Sequence, residues 1–150
     1  MRTVCVAALF LATLSNPAFA QNRPKPGVEV ALSRTKPLHL RVTLTSGAAS
    51  TATIYHADLP WGIRDSMVFA VTRPNGEPID LIFPTDDPGP ARVSIKPKET
   101  LVGDIDLRYV IRDLNVFKKS DVLLFWGYKA PSALHLPRWT GGLVVIPQQR

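Results

Sequence analysis

Alternation with a period of two, repeatedly cut short by prolines and glycines, is what most restricts the fold of this chain. In residues 38–45, Leu38, Leu40, Val42 and Leu44 fall on one side, and His39, Arg41, Thr43 and Thr45 on the other. Successive side chains of a strand point to opposite faces, so this run predicts one buried and one wet face. Similar short runs recur along the chain, and 14 prolines keep each of them from lengthening. Short strands separated by turn signals at intervals of roughly 8–12 residues point to an all-β sandwich or barrel.

The runs predict strands at 28–33, 38–45, 51–56, 67–72, 79–83, 92–95, 100–107, 122–128 and 142–146. Pro74-Asn75-Gly76 turns the chain between 67–72 and its expected partner 79–83, because proline fixes φ while Asn and Gly tolerate positive φ. Residues 122–128 are apolar on both faces and are placed centrally. The period changes at Leu107, Val110, Ile111, Leu114 and Phe117, whose spacing is helical, so one short helical crossover is expected there. Residues 129–139 read as a loop, and Gly141-Gly142 as a turn or bulge. The expected architecture is a single immunoglobulin-like β-sandwich of about 8–9 strands.

The first twenty residues carry a different message. Arg2 precedes an apolar run of about 11 residues, Val4 to Leu14, followed by Ser15-Asn16-Pro17 and a small-x-small end, Ala18-Phe19-Ala20. This order predicts a secretory signal peptide, residues 1–20, cleaved after Ala20. The run is too short to span a bilayer, which takes about 20 residues. Residues 21–27 are expected to be a flexible tail and 28–150 the folded domain, about 130 residues remaining after cleavage, which is single-domain size. The only cysteine, Cys5, leaves with the signal, so no disulfide is expected. The expected location is periplasmic or secreted. The formal net charge is +6, but its basic residues are scattered among acidic ones. With export, this makes nucleic acid an unexpected partner. No other apolar segment approaches spanning length, so no membrane span is expected.

Several stretches resemble known proteins. Leu40-Arg41-Val42-Thr43-Leu44-Thr45, Phe69-Ala70-Val71-Thr72-Arg73, Ile95-Lys96-Pro97-Lys98-Glu99-Thr100 and Asp104-Ile105-Asp106-Leu107 are similar to the immunoglobulin-like β-sandwich preceding the catalytic domain of deuterolysin-type and peptidyl-lysine metalloendopeptidases. Lys98 stands where that pattern usually has glycine. The resemblance implies a fold and no activity, for the chain has no His-Glu-x-x-His motif. Asp121 to Tyr128 and Arg138-Trp139-Thr140-Gly141-Gly142 also resemble small exported bacterial proteins of no assigned function.

Few residues ask for chemistry. His39, His56 and His135 lack metal-ligand spacing, and His56-Ala57-Asp58 would need further ligands from elsewhere. Ser66 and Ser120 lack a nucleophile elbow. Asp86-Asp87, flanked by Pro84, Pro88 and Pro90, reads as turn-capping, with calcium the weaker alternative. No cofactor or metal is expected. The candidate binding residues are Trp61, Arg64, Arg138 and Trp139, since tryptophan and arginine dominate binding hot spots. Trp126 and Tyr128 are expected in or beside the core. Trp61 and Trp139 are read as loop residues that either face a partner or fold back to plug an open end of the sandwich, the plug being favoured because exposed tryptophan is costly. The expected function is a small exported, non-catalytic binding or accessory protein of the cell envelope, its partner another envelope or secreted protein. A protease inhibitor acting through an end loop, 59–64, is one alternative. An enzyme whose site forms only in three dimensions is another.

Overall fold

The computed structural model describes residues 24–62, 66–82 and 89–149. The expected signal peptide, Arg64, Phe83 and Asp86-Asp87 lie outside the described residues. Eight strands are described: β1 (Gly27–Leu32), β2 (His39–Thr45), β3 (Ala52–Tyr55), β4 (Met67–Thr72), β5 (Arg92–Ile95), β6 (Thr100–Asp106), β7 (Val122–Lys129) and β8 (Trp139–Ile146). They form three antiparallel sheets with orders β1-β2-β6, β3-β5 and β4-β7-β8. The chain is therefore all-β, as the alternation predicts. A single core of buried side chains draws on all three sheets, and β1 lies against β8.

Each sheet buries the face its sequence marks as apolar. Leu40, Val42 and Leu44 of β2 are fully buried, and so are Val122, Leu124 and Tyr128 of β7. Val28, Ile54, Ile95, Val71 and Ile146 join them from the neighbouring strands. The Tyr128 hydroxyl donates to Asp58 O at 2.8 Å, tying the middle of one sheet to the turn that follows β3. Burial pushes this hydroxyl's pKa far above its ordinary value.

Four expectations change. Among the described residues, 79–82 do not form a full partner strand for β4. Pro78 has no N–H to continue a ladder, so on the edge away from β7 a bridge from Thr72 to Pro78 and an Ile79 N–H donating to Val71 O meet β4. The chain then turns to Val110–Arg112, with Ile82 N–H donating to Val110 O. Second, the helical stripe does bury Leu107, Val110, Ile111 and Phe117, but in two pieces. One is a 3-10 turn, Leu107–Tyr109, and the other is α1, Val116–Lys119. Between them Asp113 Oδ1 accepts the Asn115 N–H, a local bond that competes with helix continuation. Further 3-10 turns at His56–Asp58 and Ser132–Leu134 were not expected. Third, β8 begins at Trp139, not at residue 142, so Trp139 is a strand residue. Fourth, Gly141 and Gly142 are ladder positions paired with Gly127 and Trp126.

Candidate functional site

The outward positions of β4, β7 and β8 follow from register. Met67, Phe69 and Val71 point inward from β4, leaving Val68, Ala70 and Thr72 outward. On β7 the outward residues are Leu123, Phe125, Gly127 and Lys129. On β8 they are Trp139, Gly141, Leu143 and Val145. Phe125 sits between Ala70 and Leu143 in the ladder, and Leu123 between Thr72 and Val145. Five large apolar side chains stand exposed on this one sheet: Val68, Phe125, Leu143, Val145 and Trp139, the last 53% exposed. Scattered apolar residues on a surface are ordinary, whereas a contiguous apolar sheet face marks a candidate interaction surface.

Trp139 lies beside Gly127 on this face. A Cβ placed on Gly127 would meet the Trp139 ring at an ordinary 3.9 Å and crowd Val68 Cγ2 at 3.0 Å. The other two tryptophans sit closer to glycines, on inner faces. A Cβ on Gly142 would approach the Trp126 indole to 3.0 Å, and one on Gly103 would fall within the Trp61 ring. Trp126 is buried, and Trp61 is half-buried and packed against the core.

The candidate binding residues therefore do not form one surface. Trp61 packs on β6, on the side where β2 buries Val42 opposite Gly103. The adjoining Leu59 and Pro60 are buried as well. Trp139 packs on the outside of β7, with Arg138 immediately before it and exposed. Sequence reasoning missed Phe125, Leu143, Val145 and Val68. Their signal was present in the unbroken apolar runs 67–71, 122–126 and 143–146, which lack the polar alternates that β2 carries.

The outward face of β1-β2-β6 is chemically opposite. Lys36 Nζ lies 2.6 Å from Asp104 Oδ2, and Arg41 Nε lies 3.8 Å from Asp104 Oδ1. Arg108 Nη2 lies 2.6 Å from Asp106 Oδ2, and His39 Nε2 lies 3.6 Å from the same oxygen. The Lys36 hydrogen bond holds the Asp104 carboxyl below its ordinary value of 3.8, and the Arg108 hydrogen bond does the same for Asp106. His39 Nδ1 is 2.7 Å from Pro37 O, an acceptor, so Nδ1 carries the hydrogen. Both ring nitrogens thus face groups of the protein itself, a structural arrangement rather than a free catalytic base. A shallow cavity of about 130 Å³ lies near one end of this sheet, between Lys25, Glu29, Thr43 and Thr100. Its volume is well below that of ligand pockets, roughly 300–1,000 Å³.

Of the remaining polar candidates, Ser66 serves the fold, and the Ser120 hydroxyl is buried without a hydrogen-bond partner among the described residues. The buried Ser66 hydroxyl donates to Ala57 O and Leu59 O at 3.4 and 3.3 Å. His135 follows the Ser132–Leu134 turn with φ of 50°. Among the described residues, no group of three or more His, Cys, Asp or Glu side chains is placed to hold a metal ion. No helix among them is long and apolar enough to cross a membrane. No family model matches the chain, and no curated protein matches it in sequence.

Proposed function

We propose that this chain is a small exported, non-catalytic accessory module of the cell envelope, an immunoglobulin-like sandwich that works by binding through the outward face of β4-β7-β8. The observation that carries the reading is the contiguous apolar face of Val68, Phe125, Trp139, Leu143 and Val145, which stands exposed among the described residues. The export reading rests on the leader-like residues 1–20. Two things support the sandwich reading: one core shared by all three sheets, and Lys98, which occupies the glycine position of the resembling turn with φ of 60°. Trp139 and Arg138 belong to the proposed surface, while Trp61 serves the interior.

The test is fractionation of cells expressing the native chain or the Phe125→Thr, Leu143→Thr variant. Both positions are solvent-exposed, so stability should change by no more than about 0.5 kcal/mol per site. The native protein is expected with the envelope fraction and the folded variant in the soluble fraction. Equal envelope association of the two would refute the face as the working surface.

A further inference from the structure

We infer that the surface which the β4-β7-β8 face fits is an anionic lipid bilayer, with Phe125 and Trp139 seated at the headgroup boundary and Lys129 and Arg138 on the headgroups. The inference rests on the reading of this face as the working surface, and it names the partner's chemistry.

Charge is the first argument. None of the eleven outward positions on the three strands is Asp or Glu, and the single ionised side chain there is Lys129. Lys129 pairs in register with Trp139, and Arg138 precedes Trp139, so two cations and an indole share one end of the face. Neither cation makes an ion pair among the described residues. Carboxylates near the other end are already engaged: Asp121 Oδ1 accepts the Gln148 N–H at 2.8 Å, and Glu77 pairs with Arg73 at 2.8 Å. The face thus offers apolar area and uncompensated positive charge together. An anionic membrane surface complements both, since it attracts basic residues and takes aromatic rings at its interface.

Size and shape are the second. The face offers eleven outward strand positions, fewer than the roughly 20–30 residues a side of a standard protein interface. A second copy would add two more cations and no outward carboxylate to the same contact. A three-stranded sheet presents its outward side chains on one broad face, and a lipid surface needs no matching relief to cover it.

The test is co-sedimentation of the purified exported protein with vesicles of phosphatidylcholine alone, and of phosphatidylcholine with a third phosphatidylglycerol. The expected result is at least tenfold tighter binding to the anionic vesicles, weakened by salt as headgroup attraction is screened. Lys129→Glu with Arg138→Glu should weaken binding by more than twentyfold, about fivefold for each lost cation with a further loss for each reversal. Phe125→Thr should weaken it while leaving the melting curve unchanged. The comparison of the two vesicle types needs no variant, so it decides even if a variant misfolds. No binding to anionic vesicles, or equal binding to both types, overturns the inference. Envelope association that is lost in the face variant, without vesicle binding by the native chain, would place a protein on the face. In that outcome the lipid inference fails and the functional proposal stands.

Discussion

The outward faces of β1-β2-β6 and β4-β7-β8 belong to sheets of the same size, and they have opposite chemistry. The first lines up Lys36, His39, Arg41, Asp104, Asp106 and Arg108 in pairs across its strands. The second carries Val68, Phe125, Leu143, Val145 and Trp139. Both sheets bury their other face in one core, so folding does not explain the difference. Water covers the charged ladder at little cost, because its ions are already paired and half-solvated. Water against the apolar face forgoes a stabilisation of roughly 25 cal/mol for each Å² left exposed. A chain that maintains such a face gains from it elsewhere, which is the physical ground for looking there for function.

The strongest test of this contrast compares two tryptophans of one sheet. Trp126→Ala removes a buried indole and is expected to cost about 3–5 kcal/mol in chemical denaturation. Trp139→Ala, on the outward side, should cost about 1 kcal/mol or less, because the ring is already 53% exposed. Comparable losses for the two would mean that the outward face is part of the folding core.

A second test is Gly103→Ala, on the inner side of the charged sheet. The new methyl would fall within the Trp61 ring, so the indole must move. A loss of about 1–3 kcal/mol is expected from overpacking. Pairing it with Trp61→Leu should recover part of the loss. No recovery would mean that the cost lies in the strand backbone and not in the ring.

The smallest effect is on the ladder. Asp104 and Asp106 titrate below 3.8 when folded and near 3.8 when unfolded. Their pairs therefore stabilise the fold at pH values above about 3.8, and that contribution is lost as the pH falls through the lowered folded values. Each pair is exposed enough that solvent screens most of its contribution. Asp104→Asn with Asp106→Asn should lower stability slightly at neutral pH and flatten its dependence on pH below about 4. An unchanged acid limb would assign the acid sensitivity to other carboxylates.

Much of the fold was legible because its strongest signals are local. The alternation at 38–45 gave β2 to within one residue at its start, and 67–72 and 92–95 match β4 and β5. Pro74-Asn75-Gly76 turns as its residues require, with Gly76 at φ of 86°. What failed depends on neighbours. Gly141-Gly142 reads as a break in isolation, and it is tolerated inside β8 because the Trp126 indole lies over Gly142. Trp139 looked like a loop residue because Pro137 stands just before it and Gly141-Gly142 just after, although Trp and Thr themselves favour strands. The candidate face was hidden differently. A strand that is apolar on both sides normally lies covered on both, and the sequence of 122–128 does not say that its second face lies open among the described residues.

The pairing of two tryptophans with glycines also constrains how this chain can change over generations. At Gly103 any side chain collides with Trp61, so a lineage leaves that state only by altering both positions, and the first step is the costly one. Trp126 and Gly142 are coupled in the same sense, on a gentler slope. Trp139 has no such tie, because a Cβ at the neighbouring Gly127 would meet its ring at an ordinary 3.9 Å. Among descendants of this sequence, the two inner pairs should therefore be inherited as units, while Trp139 drifts with whatever the outward face is selected to touch.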